Sequence, residues 1–194
     1  MTTRSAPVLA DRLLTPSLAR NVMLAVAGSL VLWVSAKVHV PMYPVPMTMQ
    51  TFAITVIGMA FGWRLAAATV ALYLAQGAMG LPVFSGTPER GLGLAYMMGP
   101  TGGYLIGFFL AAVVTGWLAE RGWDRRVSTT LAAMTIGTAI ILATGTLYLG
   151  ALIGWDKPVL ALGLTPFIAA SIVKIALGTA VMPFAWNLIE RFSR

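Results

Sequence analysis

One basic side chain, Lys174, stands in the middle of a long apolar segment, where a charge needs a partner. A lysine at such a place costs about 3 kcal/mol or more unless it snorkels, pairs or faces a wet cavity. If the segment begins at Pro166, Lys174 lies about 12 Å along the helix axis, at roughly 1.5 Å per residue. We therefore expect its ammonium to meet an anion in a cavity open at that end. Snorkelling without a ligand, or pairing with backbone carbonyls, is the alternative.

A glycine-rich run between two apolar segments is the second candidate. Residues 98–108 read MGPTGGYLIGF. The Gly-Pro-Thr-Gly-Gly part is expected to end one helix and open the next with exposed backbone N–H groups, which suits a small polar solute held at membrane depth. Gly102, Gly103 and Tyr104 are therefore predicted to contribute to a binding site.

Residues 44–52 place polar side chains at the start of another apolar segment. Two prolines set the direction of the chain there, and Thr48 is a predicted helix N-cap. Gln50 follows within the first turn. Its amide is expected either to bond a solute or to bond a neighbouring helix.

The remaining candidates lie in a loop and in the preceding segment. Arg90 has glycines close by that would let its guanidinium close over a carboxylate, but Glu89 could instead neutralise it at the surface. Tyr73, Gln76 and Tyr96 are added because they fall near the same predicted end. Each of them could serve only as an interfacial anchor.

Composition narrows the class of protein. Of the 194 residues, 58% are hydrophobic and 10% are charged, and the mean hydropathy is +0.84, which is typical of a multi-pass membrane protein. Without cysteine and with His39 as the single histidine, a metal site is not expected, and no cofactor is predicted. The predicted spans hold no Asp, Glu or His, which argues against an integral membrane enzyme.

The elements that must position these groups are long apolar runs. We predict an all-α bundle of six transmembrane helices in a single domain, 1–194, with the second and third spans forming a tight hairpin at Trp63 and Arg64. The spans are 18–36, 48–62, 65–80, 104–118, 131–153 and 166–188. The basic residues stand mainly in loops on one side, so both termini are predicted to be cytoplasmic and the net charge of +7 is assigned to topology rather than nucleic acid. The longer connections 37–47, 81–103 and 154–165 then lie outside.

Four strings carry a resemblance to a known family. They read PVPMTMQTF, LYLAQGAMGLPVF, GLAYMMGPTGGYLIGF and PFIAASIVK, in this order along the chain. In these strings the chain resembles BioY, the biotin-binding S component of energy-coupling factor (ECF) transporters, over nearly its whole length. The resemblance implies a plasma (inner) membrane protein, embedded in lipid, that binds biotin from outside. It also implies a transmembrane coupling subunit and ATP-binding subunits as partners, with a homo-oligomer left open.

Two positions depart from the family pattern. The last motif usually reads PF-x-x-G-D-x-x-K, and here Ser171 stands where the acidic residue is expected. At Thr138 the resemblance leads us to expect an amide. Both residues are kept as candidates for substrate binding. The alternatives to biotin uptake are an S component for another small vitamin and a membrane assembly protein without a ligand. The chain has no G-x-x-x-x-G-K loop, so ATP energy would come from other subunits.

Overall fold

The computed structural model describes residues 6–13, 15 and 17–192, and the described chain is mainly helical. Its elements in chain order are α1 (Leu9–Leu13), α2 (Leu18–Lys37), β1 (His39–Val40), β2 (Met47–Thr48), α3 (Gln50–Ala78), α4 (Gly93–Met97), α5 (Gly102–Ala119), α6 (Val127–Ile153), α7 (Val159–Gly163) and α8 (Thr165–Phe192). Among the described residues, five helical stretches are long and apolar enough to cross a membrane, in α2, α3, α5, α6 and α7–α8. The predicted all-α class is confirmed.

Helix α3 is a hairpin of two antiparallel arms. The backbone at Gly62 leaves the helical region, with φ 75° and ψ 165°, a conformation that glycine adopts without strain. The side-chain amide of Gln50 donates to the Tyr73 hydroxyl at 2.7 Å, whereas 23 residues of straight helix would separate them by about 34 Å. The two arms therefore supply the second and third of the six predicted helices.

The turn of this hairpin marks one end of the bundle, called here the inner end. The Glu120 carboxylate accepts from the Trp63 backbone N–H at 3.3 Å, and the Ala6 N–H donates to the Glu120 carbonyl at 2.7 Å. Helix α1, which the sequence did not predict, packs its buried Leu9 here. The distribution of basic residues predicts that this end faces the cytoplasm.

The opposite, outer end is built from short elements. The ribbon β1–β2 pairs His39 with Thr48 and Val40 with Met47. Helices α4 and α7 each span five residues, too few to be stable without tertiary contacts. They lie in the predicted outer connections, together with Arg90. Three connections distant in sequence therefore form this end of the bundle.

The core consists of two apolar clusters. The outer one includes Ile54, Phe84 and Tyr104, and the inner one includes Met59, Met134 and Trp186. Between them the helices approach closely at small residues: a Cβ on Gly58 would meet the carbonyl of Ala112 at 2.9 Å. This close packing holds α3 against α5.

Candidate functional site

A cavity at the outer end, called here the outer cavity, gathers polar and aromatic side chains from distant parts of the chain. Its volume is about 40 Å³, enough for a few water molecules at roughly 10–15 Å³ each. A larger ligand therefore requires its walls to separate. The lining residues are Val45, Pro46, Thr48, Gln50, Thr51, Phe84, Ser85, Tyr96, Thr101, Tyr104, Leu105, Phe108, Leu142, Phe167, Ser171 and Lys174.

Lys174 brings the cation to this cavity. Its Nζ donates to the Thr48 carbonyl at 2.5 Å and to Thr51 Oγ1 at 3.2 Å, so the pairing with a backbone carbonyl considered from the sequence is present. Both partners are neutral. In the part of the chain that the structure describes, no carboxylate lies within 4.0 Å of this ammonium. One of its three N–H groups is left for a further acceptor.

The beginning of α3 presents an amide to the same space. The Gln50 backbone N–H donates to Thr48 Oγ1 at 3.2 Å, so the threonine hydroxyl caps the first turn, although the residue before the helix is Met49. The Gln50 side-chain N–H donates to the Tyr73 hydroxyl, which donates to the Val83 carbonyl at 3.0 Å. The Gln50 side-chain oxygen receives only a long bond of 3.4 Å from Thr48. It can accept from a solute.

Ser85 adds a hydroxyl whose hydrogen-bonding capacity is unused. The residue is 3% exposed, and its Oγ has no hydrogen-bond partner among the described residues. A buried hydroxyl without a partner costs about 1–3 kcal/mol. Ser85 was not predicted as a site residue, and its only signal in the sequence is its position directly after the string that ends at Phe84.

Aromatic rings form much of the wall. Phe84 stacks on Tyr96 with ring centroids 5.0 Å apart and an interplanar angle of 17°, and Tyr104 lies against Phe167 at 5.8 Å. The Tyr96 hydroxyl donates to the Ser85 carbonyl at 2.8 Å. Phe84 and Phe167 were not predicted as site residues, although both stand in strings quoted above. Their rings suit an apolar ligand body.

Six of the predicted site residues line the outer cavity: Thr48, Gln50, Tyr96, Tyr104, Ser171 and Lys174. Ser171 is buried, at 7% exposure, one turn of α8 before Lys174. It supplies a hydroxyl and no charge at this position. The ligand contacts themselves stay predictions for all six.

Two predicted polar residues have other partners in this structure. The exposed Arg90 donates to the carbonyls of Met42 at 2.8 Å and Pro44 at 3.2 Å, which ties two outer connections together. Gln76 donates to Ser29 Oγ at 3.4 Å, between α3 and α2. Neither lines the outer cavity, and a ligand contact for them stays a prediction.

Four more predicted site residues do not line the outer cavity: Gly102, Gly103, Tyr73 and Thr138. A Cβ on Gly102 would come within 3.2 Å of the Tyr148 ring, and one on Gly103 would be 2.6 Å from the Thr144 carbonyl, so both glycines allow α5 to approach α6. Tyr73 lies behind Gln50 and supports its amide. Thr138 is buried in α6.

Comparison with protein families gives one match over nearly the whole chain. The model described as "BioY family" matches residues 3–191. A protein of Pyrococcus horikoshii named probable biotin transporter BioY is 36% identical over 77% of this chain and 84% of its own length. The biotin transporter BioY of Thermotoga maritima is 34% identical over 76% of this chain and 85% of its own.

A solved structure shares the fold. It is titled as the S-component for biotin from an ECF-type ABC transporter, and it superposes with a TM-score of 0.72 at 19% identity. The similarity covers 87% of this chain and 92% of the solved chain. At 19% identity the superposition shows a shared arrangement of helices.

Proposed function

The chain belongs to the BioY family, and we propose that it is the membrane-embedded subunit that captures biotin in the outer cavity for uptake. The whole chain would form one S-component domain in the plasma membrane. It acts as a transport protein without ATPase activity of its own. A transmembrane coupling subunit and ATP-binding subunits supply the energy, and a homo-oligomer is compatible with this role.

The observation that carries the proposal is the presence, in the lining of one cavity, of an ammonium and a buried hydroxyl that have, respectively, no carboxylate within 4.0 Å and no hydrogen-bond partner among the described residues. Lys174 has an N–H for the biotin carboxylate, which is a charge-assisted bond. Ser85 Oγ and the Gln50 amide oxygen can bond the ureido group. The Phe84 and Tyr96 rings suit the thiophane ring.

A related small carboxylate is the second candidate substrate. It is favoured by Ser171, which lines the cavity without a charge where the family motif leads us to expect an acid. A serine accepts one hydrogen bond but neither balances Lys174 nor attracts a ureido N–H as strongly as a carboxylate. Selectivity for biotin over simpler monocarboxylates is therefore expected to be lower than with an acid at this position.

The test is a calorimetric titration of the purified, detergent-solubilised protein with biotin, with Lys174→Ala as the variant. Removing the ammonium is expected to weaken binding at least about 100-fold, or roughly 2.7 kcal/mol, because the ligand carboxylate loses its ionic partner. The matched control is Lys157→Ala, at an exposed lysine of the outer connection, which is expected to bind like the wild type.

Biotin methyl ester separates the charge from the rest of the ligand. The wild type is expected to bind the ester weakly, and Lys174→Ala is expected to bind ester and acid alike. Biotin binding that survives Lys174→Ala unchanged would contradict the assigned site. Binding of another vitamin with no response to biotin would favour the second candidate.

A further inference from the structure

A chain of hydrogen bonds runs behind the wall of the outer cavity and ends at a residue of its lining. The Tyr73 hydroxyl donates to the Val83 carbonyl at 3.0 Å, and the Gln50 side-chain N–H donates to the Tyr73 hydroxyl at 2.7 Å. Gln50 lines the cavity, whereas Tyr73 and Val83 do not. All three residues are buried, so these bonds are made away from bulk solvent.

The direction of these bonds follows from the single proton of a hydroxyl. A carbonyl can only accept, so the O–H of Tyr73 must be the donor to Val83. The Gln50 atom that lies 2.7 Å from the same hydroxyl must then be a donor, and in a side-chain amide that atom is the nitrogen. With the amide reversed, its oxygen would face the lone pairs of the hydroxyl. The Val83 carbonyl therefore determines which end of the Gln50 amide faces Tyr73.

The oxygen of the same amide lies on the side of Thr48. The Thr48 hydroxyl approaches Gln50 Oε1 at 3.4 Å, and Thr48 also lines the outer cavity. A contact of this length is weak and leaves most of the accepting capacity of the oxygen unused. A ligand that reaches the amide from this side meets an acceptor, so it needs an N–H or O–H to bond there.

Packing keeps the Tyr73 ring in its position. The ring meets Phe84 edge-on, with ring centroids 5.5 Å apart and an interplanar angle of 84°. Phe84 is itself buried, and Gly77 gives it room, since a Cβ at that position would overlap the Phe84 ring. Side chains packed in this way have little freedom to move. The Tyr73 hydroxyl therefore stays between Val83 and Gln50.

We propose that Tyr73 is a positioning residue that presents the Gln50 amide oxygen to the outer cavity, and that the site thereby selects a ligand with an N–H at this place. Tyr73 acts through Gln50 and touches no ligand itself. The ureido ring of biotin carries two N–H groups, whereas a ring oxygen in place of either would turn only lone pairs toward the amide oxygen. The choice of ligand rests on the proposed function, but the orientation of the amide does not.

The orientation is tested by NMR, because the chain has only two glutamines, Gln50 and Gln76. Glutamine that is isotope-labelled at its side-chain nitrogen is incorporated by cell-free synthesis, and Gln50→Leu identifies which pair of amide signals belongs to Gln50. Tyr73→Phe is expected to move a Gln50 proton upfield, because its acceptor is lost. The Gln76 signals should stay in place, since this side chain donates to Ser29 Oγ, and they report that the variant is folded.

Selectivity is tested by calorimetry with biotin and its two cyclic-carbamate analogues, in each of which one ureido N–H is replaced by oxygen. The wild type is expected to bind one analogue at least about tenfold more weakly than biotin, because the amide oxygen loses its donor. In Tyr73→Phe the amide is free to turn, so this ratio is expected to fall to about threefold or less. The matched control Tyr148→Phe also removes a hydroxyl that donates to a carbonyl, that of Met98, and should keep the wild-type ratio.

Each arm has a result that would overturn the proposal. Unshifted Gln50 signals in Tyr73→Phe would contradict the positioning role, and equal ratios for wild type and Tyr73→Phe would contradict the selectivity. If Tyr73→Phe does not fold, Gln50→Leu decides the selectivity, because it removes the acceptor and leaves the bond from Tyr73 to Val83; an unchanged ratio there overturns the proposal. Absence of biotin binding by the wild type would instead overturn the proposed function, and the NMR comparison would still decide the orientation of the amide.

Discussion

At the inner end of the bundle Asp124 lies buried against Trp186, whereas at the outer end Lys174 lies beside a cavity. The Trp186 indole donates to Asp124 Oδ2 at 2.5 Å, and the Arg125 guanidinium lies 4.4 Å from the Trp186 ring centroid. Arg125 also donates to the Pro7 carbonyl at 3.0 Å. These groups join the start of the described chain, the α5–α6 connection and α8. Asp124 Oδ1 has no hydrogen-bond partner among the described residues, so this end also has a buried polar atom with unused capacity.

The outer end differs in having a cavity beside its polar groups. Lys174 and Ser85 both line the outer cavity, each has hydrogen-bonding capacity that no described residue uses, and the elements around them are short. A buried ionisable group alone therefore does not identify a binding site. The informative combination is a polar group with spare capacity and a cavity that can supply its partner.

The largest expected effect is at the inner end. Trp186→Leu removes a 3% exposed side chain, its hydrogen bond to Asp124 and its contact with Arg125. We expect a loss of roughly 3 kcal/mol in stability, seen as a lower thermal unfolding temperature in detergent, with unchanged biotin affinity of the folded fraction. The control is Trp155→Leu at a 60% exposed residue, expected to be nearly neutral. A changed affinity in Trp186→Leu would contradict a purely structural role for the inner end.

An intermediate effect is expected at the outer end. Ser171→Asp adds an acceptor one turn from Lys174 and is expected to tighten biotin binding about tenfold, or roughly 1.4 kcal/mol, with little change in stability. Ser171→Asn is of similar size without the charge, and it should give a smaller gain. Calorimetry measures both. Equal gains from Asp and Asn would assign the effect to hydrogen bonding alone, and weaker binding by Asp would mean that the added charge ties up Lys174.

The smallest effect concerns pH. Burial raises the pKa of the Asp124 carboxyl above its ordinary value, against a smaller opposing effect of the Trp186 hydrogen bond. The folded state therefore holds this proton to higher pH than the unfolded state does. The free energy of unfolding is therefore expected to fall as the pH rises from the ordinary pKa of an aspartate to the raised pKa of Asp124. Asp124→Asn should flatten this part of a pH series of unfolding temperatures. The exposed Asp156→Asn should keep the wild-type profile, and a flattened profile there would contradict the assignment.

The helices could be predicted because their signal is local. The apolar runs predicted six spans. The turn between the second and third spans was predicted at Trp63 and Arg64, and in the structure the chain turns at the neighbouring Gly62. Helices α1, α4 and α7 were not predicted. Each is a five-residue element held by tertiary contacts, and short helices carry little propensity signal of their own.

The site was predictable only where the residue itself is unusual. Lys174 was found because a charge inside an apolar segment stands out. Pairing with a backbone carbonyl was one of the predicted alternatives, and Lys174 donates to the Thr48 carbonyl. Ser85 was missed because a serine in a loop is ordinary, and its lack of a partner is a property of the folded chain. The partners of Arg90 lie 46 and 48 residues away in sequence, so no local pattern could identify them.

The charge of Lys174 also bears on how the protein responds to the membrane voltage. With Ser171 in place of an acid, the empty outer cavity holds a positive charge that no nearby described side chain cancels. A bound monocarboxylate neutralises it. If this end of the bundle moves through the membrane field during transport, Lys174 and the bound carboxylate together carry no net charge. Without the ligand, Lys174 carries one elementary charge. Moving that charge fully across the membrane costs or releases about 2.3 kcal/mol per 100 mV. The electrical work then falls on the return of the empty carrier.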